Sequence, residues 1–137
     1  MEKKDVEKEY AKYRRRASQY ANDREKSKEL LAVAMKKAIK SRNGALEEVW
    51  GNLVLLFEMF RDWISGKYNS VPMNSIIMII GALLYFVAPM DVIPDFIMGM
   101  GIVDDAAVIS ILIKKISSDI EKYKAWKEIA DETTKRD

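Results

Sequence analysis

The sequence predicts an all-α protein of four or five helices, and three observations support this fold class. Apolar residues recur at spacings of three and four along most of the 137 residues, which is the period of an amphipathic helix. No useful length of chain alternates polar and apolar residues, so we expect no β-sheet. Breaks rich in glycine, proline, serine and asparagine separate the periodic stretches. A chain of this length is expected to form one compact unit.

The first element is a charged, basic N-terminal helical arm, residues 1–42. It has 14 Lys or Arg and 7 Asp or Glu, and contains neither Gly nor Pro between Lys3 and Lys40. Its abundant Glu, Lys, Arg and Ala are good helix formers. Asn22-Asp23 is a candidate interruption, and Gly44 suits the left-handed cap that ends a helix. No secretory signal is visible in this arm, so we expect the N-terminus to lie in the cytoplasm.

The remaining residues, 43–137, are predicted to form the helical domain. One apolar face runs continuously through about 45–64 and predicts the second helix. The third and fourth helices, about 72–87 and 104–130, are predicted to form an apolar hairpin joined by a turn rich in Pro, Asp and Gly. The third is apolar on all sides, whereas the fourth has one charged face.

The third helix raises the question of a membrane span. The 23 residues from Tyr68 to Met90 carry no charge, which meets the requirement of about 20 residues. The densely apolar part, 76–90, is shorter, at about 23 Å of helix against a hydrocarbon core of about 30 Å. A single span, a re-entrant hairpin and a helix buried in protein therefore all stay open. Basic residues flank the segment on both sides, which favours cytoplasmic ends: Lys36, Lys37, Lys40, Arg42, Lys114 and Lys115.

Four carboxylates follow the apolar run, at Asp91, Asp95, Asp104 and Asp105. In the structural interpretation, Asp91 and Asp95 form side-chain turns, Asp104 caps the fourth helix, and Asp105 faces its dipole. In the alternative, the four carboxylates and nearby carbonyl groups bind a hard cation, Mg²⁺ or Ca²⁺. Their spacing does not match an EF-hand loop. If the structural interpretation holds, no cofactor is expected.

The composition argues against an enzyme. The chain has no Cys and no His, which excludes thiolate catalysis and zinc–thiolate sites and removes the commonest general base. No glycine-rich phosphate loop precedes a helix, and no nucleophile–base pair is apparent. We therefore expect a non-enzymatic protein.

The turn carries a specific pattern of residues at fixed spacing, with Tyr85 before it. Its members are Pro89, Asp91, Ile93, Pro94, Asp95, Gly101, Asp104 and Asp105. The pattern resembles that of the YkvA-like family, a domain of unknown function in bacteria and plants, over about residues 70–115. Met98 departs from the family, which usually has a proline there. The resemblance implies a small helical, membrane-associated protein and brings no established activity, cofactor or catalytic residue.

A basic cluster lies in the N-terminal arm, formed by Lys12, Arg14, Arg15 and Arg16. Acidic residues lie within one or two helical turns, so the first interpretation is a solvated helix face. The second is contact with anionic lipid heads. Nucleic acid is not expected as a partner.

Together these features predict a small non-enzymatic, membrane-associated helical protein that acts as an adaptor or scaffold at the cell membrane. Its expected partners are membrane lipid, a protein, or both. The alternative is a cytoplasmic helical interaction module that buries helix 72–87 in its own bundle or in a homo-oligomer. The third hypothesis is divalent-cation binding by the four aspartates.

Overall fold

The computed structural model describes residues 14–87 and 105–136, and all regular secondary structure in these ranges is α-helical. The predicted all-α class is therefore confirmed. The described helices are α1 (residues 14–21), α2 (Arg24–Lys40), α3 (Gly44–Glu48), α4 (Trp50–Ile64), α5 (Met73–Val87), α6 (Asp105–Lys115) and α7 (Ser117–Arg136).

Helix α5 packs between α2 and α6 and thereby organises the bundle. Helix α4 lies against α2 on one side and contacts α6 and α7, while the short α3 packs on α6. Buried apolar side chains from all these helices form one core. Residues 14–42 therefore share the core of the helices that follow them, and α5 and α6 form the hairpin predicted from the sequence.

The bounds predicted for the third helix are confirmed, but the membrane span is not. In α5, 11 of the 15 residues are buried, because α2 and α6 cover its apolar surface. Among residues 14–87 and 105–136, no helix is long and apolar enough to cross a membrane. Of the alternatives that the sequence left open for helix 72–87, the transmembrane span is therefore not supported, and α5 is buried in its own chain.

The predicted interruption at Asn22-Asp23 is confirmed as a break between α1 and α2. The N–H of Asn22 donates to the carbonyl of Ser18 and ends α1. The Asp23 carboxylate then caps α2 by accepting a hydrogen bond from the Lys26 N–H at 3.1 Å. The buried Ser27 hydroxyl donates to the Tyr20 carbonyl at 2.6 Å, which fixes the angle between the two helices.

Replacing Asp23 by alanine is expected to lower the free energy of unfolding by about 0.5–2 kcal/mol, because the first turn of α2 loses its side-chain acceptor. Asp23→Asn is the matched control and should stay close to the wild type, since asparagine caps as well as aspartate. Urea unfolding followed by circular dichroism measures both. Equal losses in the two variants would show that the carboxylate charge matters more than the cap.

Two breaks were not predicted. Val49 separates α3 from α4, and Ile116 separates α6 from α7, so the predicted second and fourth helices are each divided. Neither position is a glycine or a proline. Gly44 and Gly66 have φ values of +49° and +82°, which glycine adopts without steric cost. Gly44 begins α3, however, and α2 already ends at Lys40 with Ser41 as its C-cap, so the predicted helix-ending cap at Gly44 is not observed.

Candidate functional site

Most residues of the predicted turn lie outside the described part of the chain. These are Pro89, Asp91, Ile93, Pro94, Asp95, Gly101 and Asp104, whereas Asp105 is the first described residue of α6. Among the residues that the structure describes, no group of three or more acidic side chains is placed to hold a metal ion. The capping roles and the Mg²⁺ or Ca²⁺ site at Asp91, Asp95, Asp104 and Asp105 stay predictions.

A buried polar cluster joins α7 to α4 and to the loop before α5. The Tyr123 hydroxyl donates to Oδ2 of Asp62 at 2.6 Å, and both side chains are buried. The Tyr68 ring meets the Tyr123 ring edge-on at 5.1 Å, and the Trp126 ring stacks on Tyr123 at 5.7 Å. We call Asp62, Tyr68, Tyr123 and Trp126 the Tyr123 cluster.

The environment of this cluster raises the pKa of both tyrosines. Burial raises the pKa of Tyr123, and the hydrogen bond to the Asp62 carboxylate and its negative charge raise it further. Burial also raises the pKa of Tyr68, with a contribution from the charge of Asp119. Both tyrosines are buried, so the cluster packs α7 against α4 and against the loop before α5.

Further polar contacts attach α7 along the bundle. The buried Ser75 hydroxyl of α5 donates to Oδ2 of Asp119, and the Lys127 ammonium pairs with the Glu58 carboxylate of α4. Each contact joins residues far apart in sequence, so together they fix the position of α7 against α4 and α5.

The surface of α2 and α4 carries an apolar groove of about 210 Å³. Three large apolar side chains remain unusually open there: Ile39 is 65% exposed, Met35 40% and Val54 37%. We call the cavity and its lining the α2–α4 groove; its lining residues are Met35, Ile39, Trp50, Val54, Phe57, Glu58 and Arg61. Glu58 and Arg61 are the charged residues of this lining, and exposed apolar patches rimmed by polar residues commonly mark interaction sites.

The charges beside the groove are predominantly basic at the end of α2. Lys36 and Lys40 are exposed and make no ion pair with a described residue. The Arg42 guanidinium lies 4.3 Å from the centre of the Trp50 ring and pairs with Glu47 at 2.7 Å. Between Glu29 and Glu47 the sequence contains no acidic residue.

The residues of the predicted basic cluster differ in their surroundings. Arg14 donates to Oδ1 of Asn74 at 3.1 Å and so connects α1 to the start of α5. Arg15 is exposed, Arg16 lines a second cavity beside Tyr20, and Lys12 lies outside the described residues. Contact between this cluster and lipid stays a prediction.

Sequence reasoning did not find the α2–α4 groove. A usable signal was present, since the acid-free stretch from Leu30 to Leu46 contains apolar residues outside the buried stripe as well as several lysines. Which apolar residues stay open depends on how α2 sits against α4.

Two comparisons with known proteins gave matches. A family model described as a protein of unknown function (DUF1232) matches residues 75–111, which cover most of α5, the turn and the first part of α6. A protein of Bacillus subtilis (strain 168) named "Uncharacterized membrane protein YkvA" is 34% identical over 98 residues, 72% of this chain and 92% of that protein. No solved structure matches the chain.

Proposed function

We infer the function of this chain from the family to which it belongs, the YkvA-like family of proteins of unknown function. We propose that it is a small, non-enzymatic helical protein that associates with a membrane and acts there as an adaptor or scaffold. The observation that carries the membrane part is the relative from Bacillus subtilis, which is named a membrane protein and matches over 92% of its length.

The surface that could contact the membrane is indicated by which apolar residues are buried and which are exposed. Most side chains of α5 are packed into the core, so they are not available to lipid in this fold. The apolar residues that remain open, including those of the α2–α4 groove, are on the surface of the bundle. We therefore propose that the described helices meet the bilayer with a surface and not with α5.

The non-enzymatic part is supported by the chemistry of the side chains. The chain has neither Cys nor His, and the Asp62–Tyr123 pair, which has the geometry of an acid and its partner, is closed to solvent. Adaptor or scaffold is the role that an open apolar groove on a helical bundle supports best.

The second candidate is a cytoplasmic interaction module. The observation that favours it is the burial of α5 within its own chain, because the most apolar helix then needs no lipid. Its partner would be a protein surface that fills the α2–α4 groove.

Fractionation of untagged, full-length protein from cell lysates separates the two candidates. We expect the chain to sediment with membranes in buffer of physiological salt, and to be released in part by high salt if charged lipid contributes. Recovery of all the protein in the supernatant, without detergent, would overturn the membrane function and support the soluble module.

A further inference from the structure

The exposed side of α2 carries both apolar and basic residues. Its exposed apolar residues make no contribution to the core. Met35 and Ile39 are four residues apart and form one row along the helix, and Lys36 and Lys40 form the adjacent row. All four are exposed, whereas Leu30, Leu31, Ala34 and Ala38 of the same helix are buried in the core.

The apolar row continues across the α2–α4 groove. Trp50 and Val54 of α4 line the same cavity as Met35 and Ile39, so the open apolar strip is built from two helices. We call Met35, Ile39, Trp50 and Val54, with the neighbouring Lys36 and Lys40, the α2–α4 docking face. Trp50 is a residue that prefers the boundary between water and lipid.

The charges of the docking face select its occupant. Glu58, which lines the groove, is paired with Lys127, and Glu47 is paired with Arg42, whereas Glu48 of α3 is exposed. Lys36 and Lys40 are left to give the face a positive charge, and no acid stands between Glu29 and Glu47. Basic residues beside a row of exposed apolar side chains characterise helices that lie in the interface of an anionic membrane.

We propose that the α2–α4 docking face is the surface by which this protein binds a bilayer containing anionic lipid. Ile39, Met35 and Val54 enter the boundary between headgroups and acyl chains, and Lys36 and Lys40 contact the negatively charged headgroups. This proposal rests on the proposed membrane association and adds to it the surface and the class of lipid.

Binding of the full chain to vesicles tests the proposal, with one set of vesicles of phosphatidylcholine alone and another containing phosphatidylglycerol as well. We expect binding to the mixed vesicles to be much tighter. Ile39→Asp should weaken it at least tenfold, because an apolar anchor becomes an acid facing anionic lipid. Lys36→Gln/Lys40→Gln should weaken it about 30-fold at low salt, since each basic residue near such a surface contributes about 1 kcal/mol.

The chain offers matched controls on α7. Ile129 is 66% exposed, against 65% for Ile39, and Lys122 and Lys124 are exposed lysines outside the docking face. Ile129→Asp and Lys122→Gln/Lys124→Gln change the same chemistry and net charge and should bind like the wild type. Circular dichroism of every variant establishes that it is folded before its binding is compared.

The possible outcomes separate this proposal from the proposed function. If the wild type binds vesicles and the docking-face variants bind equally well, the docking face is wrong while membrane association stands. If the wild type binds neither vesicle but sediments with cell membranes, anionic lipid is not the ligand. If Ile39→Asp instead converts a dimer into a monomer in analytical ultracentrifugation, the face binds a second copy and the lipid proposal is overturned.

Discussion

Replacing Ile80 by alanine is expected to lower the free energy of unfolding by about 2–5 kcal/mol, measured by urea unfolding without detergent. Ile80 lies in the middle of α5 and is fully buried, so the substitution removes apolar contacts and leaves a cavity in a close-packed core. An isoleucine that faced lipid would contribute far less to stability in water.

The matched control for this prediction is Ile129→Ala. Ile129 lies on α7 and is 66% exposed, so it loses little burial, and alanine is the better helix former. We expect a change within about 0.5 kcal/mol. An equally small change in the free energy of unfolding for Ile80→Ala would contradict the burial of α5 in its own chain. It would favour contact between this helix and lipid.

The second large effect is expected for Tyr123→Phe, which should lower the free energy of unfolding by about 1–3 kcal/mol at neutral pH. The variant keeps the ring contacts with Tyr68 and Trp126 but removes the hydroxyl that donates to Asp62. Asp62 is only 7% exposed, so its carboxylate loses a partner that water replaces poorly. Urea unfolding followed by tryptophan fluorescence measures the loss.

Tyr20→Phe is the control for removal of a hydroxyl group. Tyr20 is half-buried on α1, and its hydroxyl makes no hydrogen bond to a described residue. We expect a change of less than about 0.5 kcal/mol. If Tyr20→Phe lowers the free energy of unfolding as much as Tyr123→Phe does, the hydrogen bond to Asp62 is not the cause of the loss in Tyr123→Phe.

The same residue gives the stability a dependence on alkaline pH. Since the fold raises the pKa of Tyr123 above the unfolded value of about 10, the native state keeps its proton where the unfolded state has lost it. The free energy of unfolding is then unaffected well below pH 10 and falls above it, by at most about 1.4 kcal/mol per pH unit for this group. Tyr123→Phe lacks this contribution, so its deficit relative to the wild type should shrink between about pH 10 and 11. A constant deficit would contradict the raised pKa.

Several elements could be predicted from the sequence because their signals are local. The start of α5 at Met73 follows from Pro72, because proline suits the first turn of a helix. The break between α1 and α2 follows from Asn22-Asp23, since aspartate favours the cap position. The positive φ of Gly44 follows from the steric freedom of glycine.

Other features have no local signal, because they depend on contacts between distant residues. Helix α3 separates from α4 at Val49, and its Leu46 enters the core, where α3 packs on α6. The apolar period alone is continuous across this break. The hydrogen bond from Tyr123 to Asp62 joins positions 61 residues apart, and no sequence pattern in either segment predicts it.

By itself the sequence determined the all-α class, the family and the position of the most apolar helix, because periodicity, turn residues and a fixed motif are written along the chain. Only the tertiary structure decided which helices cover α5 and which apolar residues of α2 and α4 stay exposed. The physical reason is that apolarity measures the cost of contact with water, and a protein core and a lipid tail relieve that cost about equally. A hydropathy pattern therefore shows that α5 must leave water, and its contacts with α2 and α6 show that it enters protein.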